Sequence, residues 1–210
     1  MSKMDVHGNT ELTVFLVEDD AAVRDALGLL LGIQGYRIAP FAHAEDFLKA
    51  WRPSWMGCVL IDIRMPGMDG LALQQRLKQS GCTLPVIIIT GHGDVDLARR
   101  AFRADAHDFL EKPLDEDKLI HAIEEAFVDM RELASASARR ASAQALFPSL
   151  TPRETEVMEL VVAGRHNRDI ALLLDISART VEVHKARLMD KLGVDNVADL
   201  VRMRLLADPE

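Results

Sequence analysis

The sequence predicts a doubly wound α/β domain followed by a small all-helical one, and three observations carry that expectation. First, 210 residues are more naturally two compact domains than one. Second, short apolar runs alternate with longer amphipathic stretches up to about residue 130, the pattern of βαβ units. Third, beyond an Ala/Ser-rich stretch the strand-like runs disappear and only helical spacing remains.

Taken in chain order, Leu12 to Val17, Arg37 to Phe41, Cys58 to Ile61, Pro85 to Ile89 and Asp108 to Leu110 are the expected strands. Between the first two, Val23, Leu27, Leu30 and Leu31 recur at helical spacing before Gly35, a helix-ending residue. Leu119, Ile120, Ile123 and Phe127 mark a helix after the fifth strand. Right-handed crossovers then give a parallel sheet covered on both faces, with chemistry expected at the carboxyl ends of its strands. From Ala134 to Ala145, six of twelve residues are Ala and no apolar stripe is wide enough to face a core. This composition suits either a helical rod continuing the previous helix or a tether. Next, Thr151-Pro152-Arg153-Glu154 has the form of a capping box with proline at the first helical position. A helix bearing Val157, Leu160 and Val161 follows and ends at Gly164; helices from about Asn167 to Leu174, Ala178 to Leu192 and Asn196 to Leu206 complete the unit.

Composition bounds what such a protein does. With 49% hydrophobic and 28% charged residues, 12 Gly and 8 Pro, the chain is neither disordered nor low-complexity. Cys58 and Cys82 are its only cysteines, too few for a disulfide framework, so a reducing, cytoplasmic setting is expected. No apolar run is long enough to span a membrane, and Met1 to Glu11 lacks the apolar stretch of a signal peptide. The net charge of −8 argues at face value against a nucleic-acid partner. Resolved along the chain, however, residues 1–130 hold 13 basic and 21 acidic residues and so carry the imbalance. Residues 149–210 hold 9 basic and 11 acidic ones, and Ser177 to Leu192 is net +2.

The expected strand ends carry polar groups: Glu18-Asp19-Asp20, Asp62, Thr90 and Lys112-Pro113. The acidic triplet alone could simply cap the next helix. Acids from two adjacent strand ends, however, repel one another in a partly dehydrated crevice unless a cation stands between them, and a hard divalent ion with oxygen ligands, Mg²⁺, suits the set. Lysine supplies a charge, and threonine a hydroxyl, for an oxyanion.

These residues resemble the receiver domain of two-component response regulators. The resemblance rests on Val17-Glu18-Asp19-Asp20, Asp62-Ile63-Arg64-Met65-Pro66-Gly67-Met68-Asp69-Gly70, Thr90-Gly91-His92-Gly93-Asp94 and Phe109-Leu110-Glu111-Lys112-Pro113. It implies a flavodoxin-like sheet in the order 2-1-3-4-5 over residues 10–130. By the same resemblance Asp62 takes a phosphoryl group from a sensor histidine kinase, while Glu18, Asp19, Asp62 and the main-chain carbonyl of Arg64 hold Mg²⁺. Thr90 and Lys112 then bind the phosphoryl oxygens, Thr90 and Phe109 form a switch, and Lys112-Pro113 is cis. The resemblance also assigns Arg64 and His92 to phosphoryl lifetime, and the face made by strand five and the helix carrying Arg99, Arg100 and Arg103 to dimerisation. A phosphatase with an aspartate nucleophile is disfavoured, because Arg64 stands where its second carboxylate belongs. The protein is expected to accept a phosphoryl group without being a turnover enzyme.

Residues 148–208, after a linker at 131–147, resemble the LuxR-type helix-turn-helix domain found in the FixJ/NarL group of response regulators. Leu150-Thr151-Pro152-Arg153-Glu154, Arg168-Asp169-Ile170-Ala171, Thr180-Val181-Glu182-Val183-His184 and Lys191-Leu192-Gly193 carry this resemblance. It implies that Ala178 to Leu192 reads double-stranded promoter DNA. Glu182, Val183 and Ala186 would face base edges, with Thr180, Lys185, Arg187 and Lys191 nearer the backbone. Some relatives have lysines where Glu182 and Ala186 stand, so a different operator is expected. The last helix, with Val197, Leu200, Val201 and Leu205, is the expected pairing surface of a homodimer formed on phosphorylation.

Overall fold

The structure, a computed structural model, describes residues 12–91 and 95–207. His92 and Asp94, the opening segment to Glu11 and the expected domain limits at residues 10 and 208 lie outside the described residues. The chain divides into two compact units, one ending at Leu133 and the other starting at Ala134.

In the first unit, strands β1 (Thr13–Val17), β2 (Arg37–Phe41), β3 (Gly57–Asp62), β4 (Val86–Thr90) and β5 (Asp108–Glu111) alternate with helices α1 (Ala21–Ile33), α2 (Ala44–Ala50), α3 (Gly70–Gln79) and α4 (Val95–Arg103). Among the described residues the strands form one parallel sheet in the order β2-β1-β3-β4-β5. The inner strands β3 and β4 are buried along their whole length, as apolar runs covered on both faces must be. The doubly wound expectation therefore holds, with boundaries within about a residue or two. Asp62 and Thr90, expected just beyond their strands, are the last residues within them.

The turns into α1 and α3 are fixed locally. Asp20 caps α1, accepting from the amides of Ala22 and Val23 at 2.8 and 3.2 Å, and Asp69 caps α3 through Ala72 at 2.7 Å. Gly70 is required by closeness: a Cβ there would stand 2.3 Å from the carbonyl oxygen of Asp62. Buried Gln74 donates to the carbonyls of Ala101 and Ala104 at 3.0 Å each, tying α3 to the end of α4.

Helix α5 runs from Glu116 to Leu146, so the Ala/Ser-rich stretch is helical. Ala143 is buried and Gln144 donates to the Ala207 carbonyl at 2.6 Å, so the end of this stretch does pack, contrary to the expectation of a segment facing no core. The second unit continues with a 3₁₀ turn (Phe147–Ser149), α6 (Pro152–Val162), α7 (Asn167–Leu173), α8 (Ala178–Leu192) and α9 (Val197–Ala207). Its core is built from Val157, Met158, Val161, Ile170, Val181, Leu188, Leu192 and Leu200. Leu200, expected on a pairing surface, is thus completely buried inside its own unit; of the α9 residues named for that role, Leu205 is the one well exposed, at 60%. Among the described residues no helix is long and apolar enough to cross a membrane.

Candidate phosphoacceptor site and nucleic-acid interface

The register of the sheet assembles the first site. Val17 pairs with Ile61, so the next residues along each strand, Glu18 and Asp62, stand level at adjacent strand ends. Asp62 pairs in turn with Ile89 and Thr90 with Glu111, which brings Thr90 and Lys112 to the same edge. Glu18, Asp62 and Lys112 come together, and Thr90 is joined to Lys112 through the main chain. The Lys112 ammonium donates to Glu18 Oε2 and Asp62 Oδ1 at 2.7 Å each, and one carboxylate oxygen from each of Glu18, Asp19 and Asp62 lies within 4.8 Å of the others. Glu18, Asp62 and Thr90 are buried.

The acidic triplet has three fates. Glu18 is buried, Asp19 is half-buried toward the cluster, and exposed Asp20 spends its carboxylate on the α1 cap. Two main-chain contacts set the surroundings. The Arg64 amide donates to Asp62 Oδ2 at 2.7 Å, and the Lys112 amide donates to the Thr90 carbonyl at 2.7 Å beside the cis Lys112–Pro113 bond. The Arg64 side chain is exposed, and Phe109 is half-buried. Arg24 was not foreseen: its guanidinium donates to the carbonyls of Glu18 and Asp19 at 2.8 and 3.2 Å, clamping the loop after β1. The available signal was an arginine on the first turn of the helix that follows an acidic loop. Glu45 was missed too; it accepts from the Met68 amide at 3.1 Å and braces the loop after Asp62.

Burial raises the Glu18 carboxyl above the usual carboxylate range; Lys112 pulls it down, and the neighbouring Asp62 pushes it up again. Burial alone would lower Lys112, but hydrogen bonds and charge from Asp62 and Glu18 outweigh it and raise the ammonium above its ordinary value. One ammonium thus serves two carboxylates, with Asp19 beside them. The donor set, all hard oxygen and more anionic than cationic, fits a divalent cation of the Mg²⁺ kind.

In the second unit Thr151 and Glu154 form the full capping box: Glu154 Oε2 accepts from the Thr151 amide at 2.8 Å, and Thr151 Oγ1 accepts from the Glu154 amide at 3.3 Å. Helices α7 and α8 are joined by residues 174–177, with Asp175 at φ 50° and Ser177 capping α8 through the Thr180 amide at 3.1 Å. Val181, Leu188 and Leu192 turn inward. Glu182, Val183, Ala186 and Arg187 are exposed together along the other side of α8; Thr180 and Lys185 are half-buried on its flanks. Lys191 stands apart, its ammonium donating to Glu154 Oε2 at 2.7 Å and to the Ser149 carbonyl at 3.1 Å. Gly193, at φ 64°, ends the helix in the left-handed conformation that a side chain disfavours.

Comparison with known proteins matches both units. Residues 14–124 match the response regulator receiver domain family, and residues 148–204 match the bacterial regulatory proteins of the luxR family. The transcriptional regulatory protein FixJ of Bradyrhizobium diazoefficiens is 42% identical over 194 residues, covering 92% of this chain and 95% of that protein. The tetrathionate response regulatory protein TtrR of Salmonella typhimurium is 39% identical over 94% of this chain and 95% of its own length. Among solved structures, the response regulator StyR aligns with a TM-score of 0.82 at 40% identity, over 92% of this chain and 98% of that one. Full-length FixJ from B. japonicum aligns with a TM-score of 0.58 at 41% identity, over 94% and 98%. A receiver sheet with an acidic strand-end cluster, joined to a luxR-type helical unit and aligned with such relatives over nearly its whole length, makes this chain a member of the FixJ/NarL-type response regulators, the two-component proteins that control transcription.

Proposed function

We propose that Asp62 is the phosphoacceptor of a receiver at residues 10–130. A helical linker at 131–147 joins it to a DNA-binding domain at 148–208 whose helix α8 contacts promoter DNA. The observation that carries the first part is the Lys112 ammonium held 2.7 Å from both Glu18 and Asp62 at the carboxyl edge of the sheet. An aspartate carboxylate needs no general base: its oxygen attacks the phosphorus of a phosphohistidine, the P–N bond breaks, and an acyl phosphate remains on Asp62. Lys112 offsets negative charge on the incoming group, and the Thr90 hydroxyl hydrogen-bonds a phosphoryl oxygen. The Arg64 amide, 2.7 Å from Asp62 Oδ2, orients the nucleophile. Glu18, Asp19 and Asp62, with the Arg64 carbonyl, would hold Mg²⁺, which supplies charge neutralisation for phosphoryl transfer. The sensor histidine kinase is the donor and the receiver a stoichiometric acceptor, with Arg64 and His92 governing phosphoryl lifetime.

Phosphorylation adds charge beside Thr90 and Phe109, which biases the receiver toward a homodimer through α4 and β5. Two copies of α8 then meet paired half-sites, and the exposed set Glu182, Val183, Ala186 and Arg187, flanked by Thr180 and Lys185, contacts DNA. This activity belongs to the cytoplasm, where the promoter lies. Intact-mass measurement after incubation with Mg²⁺ and a small phosphodonor tests the assignment: the wild type gains one phosphoryl group and Asp62→Asn gains none. Stoichiometric labelling of Asp62→Asn removes it. Gel shifts with and without phosphodonor at fixed salt test the switch, and equal affinities exclude it.

A further inference from the structure

The polar residues of α6 reach every other α-helix of the second unit that follows it. Arg153 donates to the Leu174 carbonyl at the end of α7, Glu154 is paired with Lys191 in the last turn of α8, and Glu159 accepts from Arg204 of α9 at 2.9 Å. The middle link is the buried one. The Glu154 side chain is only 4% exposed, and its Oε2 accepts from both the Thr151 amide and the Lys191 ammonium. Lys191 also holds the carbonyl of Ser149, the last residue of the 3₁₀ turn through which the chain enters the domain. Three points meet there: the entering chain, the start of α6 and the end of α8.

We infer that Lys191 is a positioning residue for DNA recognition, setting where α8 lies through Glu154 and Ser149, and is not one of the backbone contacts. By helical spacing Lys191 follows Val183 and Arg187 at intervals of four, which is why sequence alone puts it on the DNA side. For its ammonium to reach a phosphate, it would have to leave two acceptors and strand a carboxylate that burial cuts off from water. An uncompensated buried charge opposes that exchange. The Lys191 ammonium is therefore part of the frame, and the electrostatic contribution to DNA affinity falls to Lys185, Arg187 and other cations.

This inference rests on α8 being the DNA-reading helix, and the experiment separates the two. With full-length protein, binding is measured by fluorescence anisotropy across a KCl series on a mixed-sequence duplex and on a duplex selected by the wild type from a random pool. Lys191→Met, Lys191→Arg and Glu154→Gln are compared at temperatures where circular dichroism shows each folded. Glu154→Gln keeps an oxygen to accept from Thr151 and removes only the charge. Lys191→Met is expected to keep the wild-type slope of log affinity against log salt, because no phosphate contact is lost. Its preference for the selected duplex should fall about tenfold. Glu154→Gln should lower that preference similarly, the double variant no further, and Lys191→Arg should recover much of it. A slope smaller by about 0.9 in Lys191→Met, with Glu154→Gln silent, would overturn the inference in favour of a phosphate contact. So would full preference in both single variants. Arg187→Ala with wild-type affinity and slope would instead sink the reading of α8 itself.

Discussion

Two glutamate–lysine pairs, one in each unit and each with its glutamate buried, have the same 2.7 Å geometry and opposite electrostatics. Glu18 is shifted up, since burial outweighs its hydrogen bonds and Asp62 stands beside it. Glu154 is held down at about 2, chiefly by Lys191 and then by the Thr151 amide. In the receiver one lysine is divided between two acids; in the helical unit one lysine serves a single acid and a neutral carbonyl. The lesson is that an ion pair on a buried carboxylate is not one kind of object. A crowded, under-neutralised pair stands ready for another cation or an oxyanion, whereas a fully satisfied pair is a fastener.

The sharpest way to break this contrast is to remove the shared cation. Lys112→Met leaves Glu18 and Asp62 facing one another, and in metal-free buffer the receiver should lose about 3 kcal/mol in urea unfolding. Mg²⁺ should restore much of that, and an unchanged midpoint would show that the acids are less exposed to one another than the geometry requires. A subtler test applies one substitution to both glutamates. Glu18→Gln relieves a crowded charge, so the metal-free receiver should become more stable while its Mg²⁺ affinity drops at least about tenfold. Glu154→Gln should lower the melting temperature of the helical unit. If both substitutions change stability with the same sign, the contrast is wrong.

Acid titration adds a further check. The Glu154 carboxyl is at about 2 in the folded protein against an ordinary 4.5. Its contribution to stability is therefore fully present above about pH 4.5 and is lost as pH falls from there toward 2. Over that window Glu154→Gln should flatten the acid sensitivity of the second unit, as followed by circular dichroism. The smallest expected effect is local: Gly193→Ala forces a side chain onto φ 64° and should cost about 1 kcal/mol, with no change in the receiver.

Period and punctuation made most of the fold legible. Val157 and Val161, or Leu119, Ile123 and Phe127, lie on buried faces as their spacing predicts, and Thr151, Gly164 and Gly193 mark helix ends by chemistry that needs no tertiary partner. The strand-end residues Glu18, Asp62, Thr90 and Lys112 could be grouped because a parallel sheet sends all its carboxyl ends to one edge. What escaped depends on which side chain turns toward which neighbour. Arg24 on two carbonyls, Lys191 on Glu154, and Leu200 inside the core are each compatible by spacing with a solvent-facing role. Only packed partners decide between the alternatives. The linker escaped for a different reason, since alanine-rich composition favours helix without saying whether anything packs against it.

The main-chain bond from Lys112 to Thr90 has a consequence for redesign. Because the two side chains spring from backbone already laced together, the placement of their Cα atoms does not depend on what either side chain touches. Alternative residues can be installed at the two positions as if on a mounting plate, and a change in phosphoryl lifetime from such a swap would report the chemistry of the new group rather than a rebuilt scaffold.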